Sequence, residues 1–161
     1  MGLAEIAQSF AVQTEVKGVY AFLAHPDLSN SAAVQAFIGE IYANLFNRAP
    51  DAAGEAYWTG QLKTGIRPAG LAVLDIMLGA RGDDILVVGN KVAVGTYYVA
   101  QTVNNQVSMV ADEARAVLQG VGLDATNVAA GKAQVDLFVA KALFPDLLPV
   151  LGMASNADGQ V

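Results

Sequence analysis

The chain has 161 residues, with 9 Lys and Arg against 15 Asp and Glu for a formal charge of -6, a single His and no Cys. Hydrophobic residues make up 54% and charged ones 15%, against ~25% charged in an average globular domain, so there is apolar material for a core and intrinsic disorder is excluded. Without cysteine there are no disulfides, thiol nucleophiles, thiolate zinc sites or iron–sulfur ligands, and the acidic balance argues against a nucleic-acid partner, whose backbone demands a Lys/Arg footprint.

Residues 3–23 read as helical, with Leu3, Ile6, Ala7, Phe10, Val16, Val19, Tyr20 and Leu23 near a 3.6-residue period and a break expected at Gln13-Thr14. His25-Pro26-Asp27-Leu28-Ser29-Asn30-Ser31 reads as a turn, since Pro26 disfavours helix at His25 and Asn30 or Ser31 is placed to cap the next helix. Val34, Phe37, Ile38, Ile41, Tyr42 and Leu45 then give the cleanest amphipathic helix of the chain. It is expected to end near Arg48, before Pro50. Asp51 is placed to cap a helix carrying Tyr57, Trp58 and Leu62, with Gly65 as a left-handed stop.

Arg67-Pro68 opens a further helix through Leu71, Leu74, Met77 and Leu78, closed by residues 79–82. Asp83 and Asp84 suit a helix N-terminus. The run 85–103 that they precede is apolar on nearly every side and is read as a central buried helix, a strand pair being the rival reading. Ser108 is expected to cap 109–121, with Val110, Ala114, Val117 and Leu118 on one face, and Gly120-Val121-Gly122 to stop it. Thr126 or Asn127 then starts 128–144, with Val135, Phe138, Val139, Ala142 and Leu143 inward. Pro145 and Pro149 end regular structure and leave Leu147, Leu148, Val150 and Leu151 as an apolar strap or short final helix. The expected fold is all-α, a single compact bundle of about six to seven helices around a central apolar helix.

Chemistry-bearing motifs are sparse. A catalytic triad would need His25, which precedes a proline in a turn and has no Gly-x-Ser-x-Gly serine to serve. Gly120-Val121-Gly122 lacks the third glycine of a dinucleotide fingerprint and follows a helix where a strand is required. No calcium-loop consensus is present; Asp83 and Asp84 are the candidates for an isolated calcium ion, with helix-terminal charge as the structural reading. Phe37, Tyr42, Tyr57, Trp58, Tyr97 and Phe138 lie at helical spacings that suit a core, and Tyr or Trp edges at a groove could instead stack on sugars.

No basic n-region followed by an apolar stretch opens the chain, and the most apolar segments, 85–99 and 137–151, are interrupted well short of the ~20 apolar residues that span a bilayer. The Met1-Gly2 start and the polar tail 155–161 suggest a fragment of a longer protein, with any localisation signal elsewhere.

Residues 41–58 carry Tyr42, Leu45, Arg48, Pro50, Asp51, Gly54, Tyr57 and Trp58 in the spacing Tyr-x-x-Leu-x-x-Arg-x-Pro-Asp-x-x-Gly-x-x-Tyr-Trp. This segment closely resembles the bacterial family called domain of unknown function 4214, and the similarity continues through 61–65 and through Asn90 and Lys91, covering residues 3–103. Residues 104–154 are then additional helices of the same bundle. Read physically, the signature is a fold-specifying corner. Tyr42 and Leu45 face inward on one helix and Tyr57 and Trp58 on the next, Asp51 caps the second, Gly54 admits another backbone, and Arg48 binds helix-end carbonyls or Asp51.

The resemblance implies a module of large bacterial proteins exported by type I secretion, often beside haemolysin-type calcium repeats, or of surface-layer and adhesin-like proteins. From it we expect a non-enzymatic, extracellular or cell-surface domain that attaches or assembles through surface polysaccharide or other protein domains, with self-association open. The alternative is an accessory calcium-binding or scaffolding domain that positions a neighbouring repeat or catalytic domain. No cofactor is expected beyond that calcium.

Overall fold

A computed structural model describes residues 2, 5, 8, 9 and 11–145. Among them run seven α-helices and no strand: α1 (Thr14–Val19), a 3-10 turn (Ala21–Leu23), α2 (Ser31–Phe46), α3 (Ala52–Lys63), α4 (Ala69–Leu78), α5 (Asp83–Asn104), α6 (Ala111–Gln119) and α7 (Ala125–Leu143). The expected all-α class holds. The break before Thr14 is present, while Leu3, Ile6, Ala7 and Phe10, and the strap residues Leu147, Leu148, Val150 and Leu151, lie outside the described residues. Contacts divide the chain into two compact units, Met1–Val88 and Gly89–Val161.

The first unit is organised by α2. Asn30 caps it by accepting from the Ala33 N–H at 3.2 Å, and Val34, Phe37, Ile38 and Ile41 are buried on its inner face, as their spacing predicts. The Phe37 ring stacks on Phe22 with centroids 4.7 Å apart and meets Tyr20 edge-on at 5.8 Å. Leu62 of α3 and Ala72 and Ile76 of α4 complete this core. The inward face of α4 differs from expectation: Leu71, Ala72 and Ile76 are buried, and Leu78 is exposed. The helix is rolled so that Asp75 reaches Arg67 at 3.3 Å, which turns Leu78 away.

In the second unit Val94, Tyr98, Val117, Val121 and Val135 form the core. The run beginning at Ile85 is one helix, as expected, but only one stripe of it is buried. Within this unit Val94, Tyr98 and Thr102 are inside, and Val92, Val99 and Val103, on the other side of the helix, are exposed. The buried Thr102 hydroxyl bonds back to the carbonyls of Tyr98 and Val99 at 2.9 and 3.0 Å, so it carries no unpaired donor into the core.

Two helix starts differ from the sequence reading. Ser108 does not cap α6. The Tyr98 hydroxyl accepts from the Val110 N–H at 2.8 Å and lies 3.1 Å from its carbonyl, which holds Val110 extended and delays the helix to Ala111. Likewise α7 begins after Asp124 rather than at Thr126 or Asn127, because the Asn90 amide donates to the carbonyls of Gly122 and Leu123 at 2.8 and 3.2 Å and aims the chain into the helix early. Ala142 and Leu143 are exposed rather than inward. The reason is length: α7 has 19 residues and α6 only 9, so the last turn of α7 outruns its partner.

Gly131 of α7 is buried, and a Cβ there would sit 3.1 Å from side-chain methyls of both Val121 and Val94. A Gly131→Val substitution should overpack this contact and lower the unfolding free energy of the second unit by about 1–3 kcal/mol; urea denaturation checks this, and an unchanged midpoint would refute the close packing.

Candidate functional site

The signature residues converge on the corner between α2 and α3. α2 ends at Asn47, whose φ of 57° places it in the left-handed region, so the chain turns sharply out of the helix. Four residues on, the Asp51 carboxylate accepts from the Gly54 N–H at 2.7 Å and caps α3 as expected. Thr64 closes α3, and Gly65 comes next with the positive φ, 69°, that its glycine permits.

Gly54 has a different neighbour from the backbone expected there. A Cβ at this position would meet the Tyr42 hydroxyl at 3.1 Å and the Asp51 carboxylate at 3.2 Å. The glycine therefore makes room for side chains, and its own N–H serves the cap.

Arg48 also finds an unexpected partner. Its Nε and Nη2 donate to the two carboxylate oxygens of Asp84 at 2.9 and 2.6 Å, a fork-to-fork pair with the first turn of α5, and Nη1 donates to the Ala49 carbonyl at 2.9 Å. The guanidinium lies 5.2 Å from the Tyr42 ring centroid and 5.8 Å from that of Phe46. The Asp84 carboxylate raises the guanidinium pKa above its already high ordinary value. Asp51 is left to its capping role.

This pairing bears on the metal reading, because both Asp84 oxygens are occupied by Arg48. Among the described residues no group of three or more His, Cys, Asp or Glu side chains gathers around one point, and calcium binding of the usual kind needs several converging oxygens. His25 is exposed in its turn.

The paired aromatics separate. Trp58 is half-buried against the core of the first unit, whereas Tyr57, expected inward, is 58% exposed. Their rings meet edge to face at 5.1 Å and 79°. Consecutive residues on a helix point ~100° apart, and on α3 the inner face takes Trp58 and Leu62 and leaves Tyr57 at its edge. The i, i+4 spacing of Trp58 and Leu62 was the signal available in the sequence. Phe46, absent from the expected core, is buried at the end of α2, and Tyr42 and Leu45 are half-buried beside it.

The second unit holds features that spacing could not reveal. An apolar groove of about 480 Å³ is lined by Gly95, Tyr98, Val99, Met109, Ala114 and Leu118 among others. The Tyr97 hydroxyl donates to Asp136 at 2.7 Å, a bond that raises the phenol pKa, and Lys132 lies 5.3 Å from the same ring. Burial pushes the Lys91 ammonium below its ordinary pKa. Asn90 ties down the loop before α7, so it serves the second unit.

Residues 7–77 match the family described as Domain of unknown function (DUF4214). The match contains the whole corner and stops before Asn90 and Lys91, a narrower span than the likeness over 3–103. Neither the curated proteins nor the solved structures contain a match to the chain.

Trp58 is the aromatic of the signature that the first unit's core uses. Trp58→Ala should cost about 3 kcal/mol, the low end for an aromatic truncation because the ring is only half-buried; chemical denaturation measures it, and a loss under ~0.5 kcal/mol would remove Trp58 from the core.

Proposed function

We propose that this chain is a non-enzymatic helical module of a secreted or cell-surface bacterial protein, attaching to surface glycan through the exposed face of α3. The observation that carries the reading is Tyr57. Tyr42, Arg48, Asp51, Gly54 and Trp58 each have work to do in building the corner. Tyr57 belongs to the same signature yet leaves more than half its surface in solvent. An exposed aromatic that the core does not need is a contact residue in waiting, since its ring supplies a flat apolar face at low entropic cost.

Chemistry in place of binding draws no support from the corner. Its charged groups are engaged in capping and pairing, with Asp51 on Gly54 and Arg48 on Asp84. The attachment reading is tested by binding the purified chain to its source bacterium with and without intact surface polysaccharide. Binding should depend on the polysaccharide, and Tyr57→Ala should weaken it by about tenfold or more with an unchanged melting temperature. Equal background signal on both kinds of cell would overturn the reading.

Assembly with another protein domain or a second copy is the second reading, favoured by the apolar groove of the second unit, where Val99 and Met109 are exposed. Sedimentation velocity across a wide concentration range tests the second-copy form: reversible association that Met109→Glu abolishes supports it, and a single monomeric species throughout removes it.

A further inference from the structure

We infer that the ligand-contacting surface is an aromatic platform formed by Tyr57 and Trp58 on α3, kept clear by Gly60, and that it takes an uncharged sugar ring. The inference rests on the attachment reading and adds the surface and the chemistry. Trp58 is fixed by the core, and the Tyr57 ring stands across it at 79° with centroids 5.1 Å apart. The two rings form a step, of which Tyr57 leaves 58% of its surface in solvent.

What surrounds the step is small. On a helix the neighbours of position 57 lie three and four residues away, and these are Ala53, Gly54, Gly60 and Gln61. Gly60 is inside α3, has no positive φ, and a Cβ built on it would meet nothing within 4 Å. Neither packing nor backbone conformation asks for glycine there, and a glycine inside a helix costs about 0.5–1 kcal/mol against alanine. Glycine at this position leaves open space one helical turn from Tyr57.

Charge selects the ligand. Asp51 and Glu55 stand at the start of the same helix. The nearby guanidinium groups are paired, Arg48 with Asp84 and Arg67 with Asp75, while Lys63 donates to the neutral Ser31 hydroxyl and keeps its charge. An anionic sugar would meet the carboxylates of Asp51 and Glu55 against the single ammonium that α3 carries, Lys63, and a net charge of -6 adds to the repulsion. An uncharged pyranose offers a C–H face to the Tyr57 ring and hydroxyls to the Gln61 amide, which carries both donors and an acceptor. A protein partner would want a broader apolar surface around the anchor than Ala53 and Gly60 supply.

The test uses the full chain and polysaccharide released from the source bacterium's surface, separated by anion exchange into neutral and anionic fractions. The chain should bind the neutral fraction. Tyr57→Ala and Gly60→Leu should each weaken that binding about tenfold or more, Tyr57→Phe should retain it, and Gly60→Leu should melt no lower than the parent chain because its side chain enters open space. If the chain binds polysaccharide and neither Tyr57→Ala nor Gly60→Leu changes it, the platform is wrong while attachment stands. Binding confined to the anionic fraction overturns the ligand chemistry. Binding to neither fraction nor to intact cells removes the attachment reading and this inference together. Should Gly60→Leu fail to fold, the contrast between Tyr57→Ala and Tyr57→Phe decides the matter.

Discussion

The left-handed residue that ends α2 is the constraint on which the first unit depends. Asn47 turns the chain out of the helix, and within four residues Asp51 has started the next one by taking the Gly54 N–H. So short a connection leaves the two helices little freedom. It fixes which face of α3 meets α2, and hence that Leu62 joins Phe37, Ile38 and Ile41 in one core. Arg48 then fastens the outside of the turn to Asp84, with its guanidinium over the ring of Tyr42. A partly exposed pair of this kind adds only modestly to stability, but two parallel bonds leave little rotational freedom, so its main contribution is positional.

How much of this was legible in the sequence depends on how far apart the interacting residues lie. The face of α2 and the caps at Asn30 and Asp51 are written within single turns of helix, and the spacing of Val34, Phe37, Ile38 and Ile41 predicts their burial directly. Arg48 and Asp84 are 36 positions apart, and no local pattern marks one as the other's partner. The missed starts of α6 and α7 have the same origin: Tyr98 and Asn90 act across 12 and 32 positions on chain segments whose own caps look sufficient. Where tertiary contacts set the backbone, propensity yields to them.

The candidate surface was half legible. Tyr57 and Trp58 stand out as an aromatic pair in the sequence, and adjacent helical residues ~100° apart can both be inward, as Phe37 and Ile38 are, or can straddle the edge of the buried face. The structure puts Trp58 against the core and leaves Tyr57 outside. The exposed stripe of α5 had the opposite difficulty. A run of Val, Leu and Tyr reads as buried on every side, and composition does not say how many sides will find a neighbour.

The closed set of interactions at the corner has a consequence for how such chains vary. Its hydrogen bonds and ring contacts run almost entirely among signature residues and their immediate backbone, with Asp84 the added partner. Nothing in that set reaches position 53, 60 or 61. Side chains there are free to change size and polarity without disturbing the turn, so the corner fixes the architecture while leaving that stretch of α3 open to variation.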